Sequence, residues 1–234
     1  MFKSPEELRE EFDQVALEFE KFSSGLRKSG NKKIRLLKED LSAQLPSHGE
    51  SALDIGCGLG GFLPRLAERF DHVVALDLSP EMVRIAGKNN SGFSNIDFII
   101  ADVNTWNFPI EQFDCVVSIT TLHHMALEPI LKKMKDALKP GGILLVGDFY
   151  ERRGFEALIR KIAATFRKLR RRRRKSSTRS SSALFHGMGA HDPSERYLPF
   201  DEVRRICGNL LPDAKVMKYS RSNSHHYSIV WKKP

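Results

Sequence analysis

Short apolar runs alternate with helix-like polar segments through the middle of the chain. Residues 72–77 and 96–102 are rich in β-branched or apolar side chains, and each run ends in an aspartate. Two similar runs follow at residues 113–120 and 143–148. Buried strands that alternate with amphipathic helices are typical of a parallel sheet with helices on both faces. The pattern therefore predicts an α/β fold with a Rossmann-like, doubly wound sheet.

Ahead of these runs, a glycine-rich loop follows a shorter apolar run at residues 53–55. Residues 53–61 read Leu-Asp-Ile-Gly-Cys-Gly-Leu-Gly-Gly, and glycines at these spacings let the backbone turn tightly and approach a ligand. A Gly-x-Gly-x-x-Gly pattern alone also fits a plain turn between strand and helix. Asp77 stands 21 residues after Gly56, at the end of the next run, where a carboxylate can bind two ribose hydroxyls. The combination predicts a nucleotide-type cofactor site.

Five motifs in a fixed order carry a family resemblance. They are Leu-Asp-Ile-Gly-Cys-Gly-Leu-Gly at 53–60, Ala-Leu-Asp-Leu-Ser-Pro-Glu-Met at 75–82, Ala-Asp-Val at 101–103, Leu-His-His-Met at 122–125 and Leu-Lys-Pro-Gly-Gly at 138–142. Over residues 50–150 the chain resembles the class I S-adenosylmethionine (SAM)-dependent methyltransferases, in the type 11 branch of small-molecule enzymes similar to those of ubiquinone and menaquinone biosynthesis. The family's sheet has seven strands in the order 3-2-1-4-5-7-6, with the last strand antiparallel.

The resemblance also implies which residues contact SAM or its product, S-adenosylhomocysteine. It places the methionine part over the loop, the ribose on Asp77, and the adenine between Leu78 or Met82 and Val103, with its amino group near Asp102. The full set of implied cofactor contacts is Asp54, Gly56, Cys57, Gly58, Gly60, Asp77, Leu78, Met82, Asp102, Val103 and Ile119.

NAD is the competing cofactor, because its fingerprint also has glycines followed by an acid about 20 residues later. Asp54 stands two residues before the first glycine, where nicotinamide enzymes usually carry an apolar or small residue. Asp102 adds an acid that an NAD site does not require. SAM carries an ammonium and a sulfonium, so additional carboxylates favour SAM.

Catalysis in such a site needs mainly positioning, and a base is required only when the acceptor carries a proton. His123 and His124 follow the strand predicted at residues 113–120 and are the candidate bases. Asp148 is expected at the edge of the site; Tyr150, His186, His191 and Tyr197 are weaker candidates for reaching the substrate. The chain lacks the Asn/Asp-Pro-Pro-Tyr and Pro-Cys motifs of some nucleic-acid and protein methyltransferases. The expected reaction is methyl transfer to a small-molecule O, N or C acceptor.

Charge is concentrated in one segment. The net charge is +9, and residues 167–175 alone contribute +8. Apolar residues recur every three or four positions over 155–175, which predicts an amphipathic basic helix. Three uses compete: a solvated helix end, contact with an anionic membrane surface or anionic substrate, and contact with RNA phosphates. An RNA methyltransferase using this helix, and a non-catalytic SAM-binding module, are the alternative functions.

We expect residues 1–234 to form one methyltransferase domain. Its predicted parts are an N-terminal helical cap (1–45), a SAM-binding core (50–150), a basic helical insertion on the substrate side (151–200), and a last helix with a terminal hairpin (201–234). The three cysteines lack paired spacing, which argues against a disulfide framework or a metal site. Neither a signal peptide nor an apolar run of membrane-spanning length is visible, so a cytoplasmic protein is expected. The sequence leaves the oligomeric state open.

Overall fold

A seven-stranded sheet forms the centre of the protein. The computed structural model describes residues 3–23, 32–151, 197–219 and 225–234. The strands are β1 (Gly49–Ile55), β2 (Phe70–Asp77), β3 (Ile96–Ile100), β4 (Phe113–Ile119), β5 (Leu138–Phe149), β6 (Lys215–Tyr219) and β7 (His226–Lys232). Their order is β3-β2-β1-β4-β5-β7-β6, and β7 runs antiparallel to both neighbours while β1 to β5 are parallel. The predicted strand order and the antiparallel last strand are confirmed.

Helices flank both faces of this sheet. In the described residues they are α1 (Pro5–Ser23), α2 (Lys32–Ser42), α3 (Leu63–Ala67), α4 (Pro80–Asn89), α5 (Leu127–Ala137) and α6 (Phe200–Leu210), with a 3-10 turn at Leu122–His124. Side chains alternate across the strands, so Leu53 and Ile55 pack toward α5 and α6. Ala52 packs on the opposite face, in a second cluster that includes α2 and α3.

Strand β5 is longer than the sequence pattern predicts. Residues 139–142 read as a helix stop before a strand at 143–148, whereas the strand already begins at Leu138. The backbone N–H of Gly141 donates to the carbonyl of Lys233, and the N–H of Lys233 donates to the carbonyl of Gly142. The end of the chain after β7 therefore supplies partners that extend the strand, and this long-range pairing leaves no local signal.

The start of α4 follows its sequence signature. Ser79 Oγ accepts a hydrogen bond from the backbone N–H of Met82 at 3.0 Å, and Pro80 occupies the first turn. The Ser79 hydroxyl in turn donates to Asp13 on α1. Buried Ala16 of α1 packs against Met82 and Ile85 of α4. Helix α1 is thereby fixed beside the carboxyl end of β2.

Several further features of the sequence can be compared with the structure. Asp114 lies in β4 and accepts hydrogen bonds from the backbone N–H groups of Glu50 and Ser51. Cys57, Cys115 and Cys207 are free and buried, and burial raises the pKa of each thiol, in Cys207 to about 12. The predicted basic helix at 155–175 lies outside the described residues, as do His186 and His191. No helix in the described part of the chain is long and apolar enough to cross a membrane.

Candidate active site

The loop after β1 needs glycine at three positions for different reasons. Gly56, Gly58 and Gly60 have φ of 70°, 53° and 76°, a region that other residues rarely adopt. A Cβ on Gly56 would lie 2.3 Å from the Thr121 side chain, and one on Gly60 would lie 2.3 Å from Asn90 Nδ2. A Cβ on Gly58 would meet nothing within 4 Å. Gly56 and Gly60 are therefore glycine because of packing, while Gly58 borders open space.

Asp77 at the end of β2 is hydrogen-bonded to the loop at Gly58. Its Oδ2 accepts a hydrogen bond from the backbone N–H of Gly58 at 2.8 Å, and its Oδ1 accepts one from the N–H of Ser79 at 3.0 Å. The side chain is buried, and desolvation raises its pKa despite the opposing effect of these backbone donors. Each carboxylate oxygen retains a further lone pair. The arrangement suits two hydroxyl donors of a ribose.

Asp54 is a buried acid next to the loop. It is 3% exposed, and burial raises its pKa to about 7. Among the described residues none donates a hydrogen bond to its carboxylate, and the charge of Asp77 raises its pKa further. Buried carboxylates are normally paired. Asp54 thus fits a site that receives a cationic group from a ligand.

Lys38 on α2 is a candidate site residue that the sequence pattern did not indicate. Its Nζ lies 3.2 Å from the position that a Cβ on Gly61 would occupy, over the glycine loop. Burial lowers the pKa of Lys38, and the attraction of Asp54 opposes that decrease. The loop is therefore bordered by one acid and one base, which suits an amino-acid group with an ammonium and a carboxylate.

The ends of β2 and β3 lie side by side. The backbone N–H of Ala101 donates to the carbonyl of Asp77 at 3.0 Å. Asp102 Oδ1 accepts hydrogen bonds from the backbone N–H and the side-chain amide of Asn104, which fixes the turn after β3. The other predicted adenine contacts, Leu78, Met82 and Val103, lie in this region; Met82 and Val103 are buried in two different hydrophobic clusters.

Both candidate bases lie in the 3-10 turn after β4. His123 Nδ1 is 2.7 Å from Asp148 Oδ1, and its backbone N–H donates to Asp148 Oδ2 at 2.9 Å. The His124 ring contacts the edge of Phe12 on α1, with the ring centroids 5.2 Å apart. The Tyr197 ring stacks on His123 at 5.2 Å. The structure therefore brings His123 together with Asp148 and Tyr197, three residues that the sequence did not connect.

Three further residues that the sequence predicts near the site are buried in the hydrophobic core. Cys57 and Ile119 are buried in the cluster on the α2 side of the sheet. Tyr150 lies in the opposite cluster and packs against Phe200. The described ranges contain no group of three or more histidine, cysteine or acidic side chains that could hold a metal ion.

Comparison with known proteins agrees with this geometry. Residues 52–142 match a family model described as a methyltransferase domain. Phosphoethanolamine N-methyltransferase 1 of Arabidopsis thaliana is 35% identical over 131 residues, which is 55% of this chain and 26% of that protein. This chain therefore spans about a quarter of the length of that curated relative.

Solved structures with the same fold have lower sequence identity. Magnesium protoporphyrin IX methyltransferase from Synechocystis, crystallised with S-adenosylhomocysteine, has a TM-score of 0.68 at 15% identity. The alignment covers 99% of this chain and 100% of the methyltransferase chain. The [4+2]-cyclase SpnF also has a TM-score of 0.68, at 15% identity, covering 100% of this chain and 98% of its own. The fold alone therefore does not define the reaction.

The strand order is that of the Rossmann-like methyltransferase fold, and residues 52–142 match the methyltransferase domain. The predicted fold is confirmed, and the comparisons support the predicted enzyme class and SAM as the cofactor. The roles of individual site residues stay predictions.

Proposed function

We propose that this protein transfers a methyl group from SAM to a small-molecule acceptor. The observation that carries the proposal is the pairing of Asp77 with the Gly58 amide beside open space. Carboxylate oxygens that can accept hydrogen bonds from ribose hydroxyls lie there beside a glycine backbone that a ligand can approach closely, as a nucleoside requires.

Each end of the cofactor has residues of matching chemistry. Asp54 would face the methionyl ammonium and Lys38 the carboxylate, since the two side chains border the same loop. Asp77 would bind the ribose hydroxyls, and Asp102 the adenine amino group. Glycine at 56, 58 and 60 keeps the backbone close to the ligand. Cys57, Leu78, Met82, Val103 and Ile119 would contribute apolar contact.

When bound, SAM supplies an already activated methyl group, so the protein acts mainly by holding an acceptor in line and excluding water. Positioning of this kind contributes roughly 7–11 kcal/mol to lowering a barrier. His123 is the proposed general base and His124 an alternative. His123 is the stronger candidate because its side chain is only 7% exposed and is bonded to Asp148.

The proposed substrate side is the region around His123. The backbone N–H of Glu151 donates to the carbonyl of Leu198, and Glu151 pairs with Pro199 in an isolated bridge. The chain therefore leaves and re-enters the described fold beside Tyr197, which supports the placement of residues 151–200 as an insertion on the substrate side of one domain. A role of residues 167–175 at an anionic surface, and a cytoplasmic location, stay predictions.

Relatives suggest acceptors to test first. One is named for phosphoethanolamine and another for magnesium protoporphyrin IX. Purified protein would be incubated with SAM labelled in its methyl group and with each of these compounds, and with RNA at low and moderate salt. Transfer to a small compound supports the proposal. Transfer only to RNA, with a steep loss as salt rises, would support the RNA alternative. SAM binding with no transfer to any acceptor would favour a binding module.

A further inference from the structure

A buried carboxylate lies beside His123, where the ends of β4 and β5 meet. Asp148 Oδ2 accepts a hydrogen bond from the backbone N–H of His123, and Oδ1 lies 2.7 Å from His123 Nδ1. Oδ1 also accepts one from the backbone N–H of Phe149 at 2.7 Å. The Asp148 side chain is only 1% exposed. Such burial is tolerated because these donors surround the carboxylate.

The donor set determines which nitrogen of His123 carries hydrogen. A carboxylate only accepts hydrogen bonds, so Nδ1 must be the protonated nitrogen, and the lone pair of the neutral ring is then on Nε2. Packing fixes the ring plane as well. Tyr197 stacks on it with an interplanar angle of 23°, and Phe149 meets it edge-on with the centroids 5.3 Å apart.

We propose that Asp148 is a positioning residue that holds His123 in the Nδ1–H tautomer, so that Nε2 takes a proton from the methyl acceptor. This inference rests on the proposed methyltransferase function. It restricts the acceptor to a group that must lose a proton, a hydroxyl or a protonated amine, and it gives Asp148 a role that the sequence did not assign.

The proton and charge balance explains the need for a carboxylate. The acceptor's lone pair forms the new bond to the methyl carbon, the carbon–sulfur bond breaks with its electron pair left on sulfur, and the acceptor's proton goes to Nε2. An amine gives up its proton before the bond forms, a hydroxyl as it forms. In the net balance one positive charge thereby moves from the sulfonium to the His123 imidazolium, where the buried Asp148 carboxylate stabilises it.

Asp148→Asn separates this role from simple packing. An asparagine of nearly the same shape places its NH₂ group either at the Oδ1 position, opposite Nδ1 and the Phe149 N–H, or at the Oδ2 position, opposite the His123 N–H. The first orientation requires the ring proton to move to Nε2, and both orientations remove the negative charge that favours a proton on Nδ1. The variant should therefore shift the ring toward the inactive Nε2–H tautomer. Asp114→Asn is the matched control, because Asp114 also accepts two backbone N–H bonds but lies at the other end of β4.

The direct readout is the tautomer itself. In protein labelled with ¹⁵N-histidine, long-range ¹H–¹⁵N spectra distinguish the two neutral tautomers, and loss of a signal in His123→Gln assigns it. We expect Nδ1–H in the wild type and in Asp114→Asn, and a shift toward Nε2–H in Asp148→Asn. An Nε2–H tautomer in the wild type would overturn the inference, and so would an unchanged tautomer in a folded Asp148→Asn. If that variant does not fold, the wild-type spectrum decides.

Activity gives a second readout. Methyl transfer would be measured with phosphoethanolamine, catechol and nicotinamide, which present an ammonium, hydroxyls and a ring nitrogen without hydrogen. Transfer to one of the first two should fall by roughly 10²–10⁴-fold in Asp148→Asn, while S-adenosylhomocysteine affinity is unchanged. Transfer to nicotinamide, or undiminished transfer in the variant, contradicts the inference. If none of the three is methylated, the tautomer decides. Failure of the wild type to bind S-adenosylhomocysteine would instead defeat the proposed function.

Discussion

The Asp77 carboxylate accepts a hydrogen bond from the Gly58 amide, which joins the end of β2 to the loop after β1. One side chain therefore holds the loop at Gly58, the glycine that borders open space. Asp77→Ala should weaken S-adenosylhomocysteine binding by about 1–3 kcal/mol, because the two proposed ribose contacts and the loop contact are lost. Calorimetric titration measures the change. Asp97→Asn is the control, since Asp97 is an exposed carboxylate on neighbouring β3; equal effects of the two substitutions would contradict the role of Asp77.

Gly58 and Gly60 should respond differently to alanine. Gly58→Ala places a methyl group in open space, so it should cost only the roughly 1–2 kcal/mol of left-handed backbone strain while strongly reducing cofactor binding. Gly60→Ala adds a clash with Asn90, and overpacking typically costs about 1–3 kcal/mol more. Urea denaturation gives both values.

A second substitution checks the cause of the Gly60 effect. Asn90→Ala in the Gly60→Ala background should recover part of the lost stability, because the inserted Cβ would lie 2.3 Å from Asn90 Nδ2. The recovery is partial, since the Ala86 backbone is also close and Asn90 loses its own hydrogen bonds to Gly60 and Ala86. No recovery at all would show that the clash is not with Asn90.

Asp54 and Asp114 should affect stability with opposite sign. Burial raises the pKa of Asp54 to about 7, so the folded protein holds a proton that the unfolded chain releases near pH 4. Its contribution to stability therefore declines as pH rises from about 4 to 7. Asp54→Asn should raise the melting temperature at pH 8. Partial burial tends to raise the pKa of Asp114, but the hydrogen-bond donors and Lys139 around it outweigh that effect and lower the pKa, so Asp114→Asn should lower the melting temperature at pH 8. A decrease in both variants would contradict the raised pKa of Asp54.

Cofactor binding should release a proton through Asp54. The ligand ammonium requires the ionised carboxylate, so at pH 5.5 binding of S-adenosylhomocysteine should release about one proton, and close to none at pH 8. Titrations in buffers of different ionisation enthalpy measure this number. Lys38→Met should move the transition to higher pH, because Lys38 lowers the pKa of Asp54. Lys132→Met, at an exposed position on α5, should not.

The sheet was predictable from the sequence because its central strands are buried on both faces. Each therefore appears as a short run of β-branched and apolar residues, as in β4, where five consecutive residues are buried. The glycine loop and Asp77 were predictable for a related reason, since left-handed backbone and a strand-end acid leave local signals. The early start of β5 was not, because its partners lie about 90 residues away at the chain end.

Two site residues depend on tertiary packing. Lys38 is one of several basic residues on α2, and only the packing of α2 on the sheet brings it near Asp54. Asp148 and His123 are 25 residues apart, but β4 and β5 are parallel neighbours whose carboxyl ends meet. The predicted strand order already makes β4 and β5 neighbours. The pair could therefore have been inferred by combining that order with the residues at the carboxyl end of each strand.

Calorimetric titration of the purified protein with S-adenosylhomocysteine, SAM and NAD tests the account most directly. Asp77, the Gly58 amide and Asp54 together predict binding of the first two in the micromolar range and no binding of NAD. Binding of NAD alone, or of none of the three, would contradict the assignment of the site while leaving the doubly wound sheet unchanged.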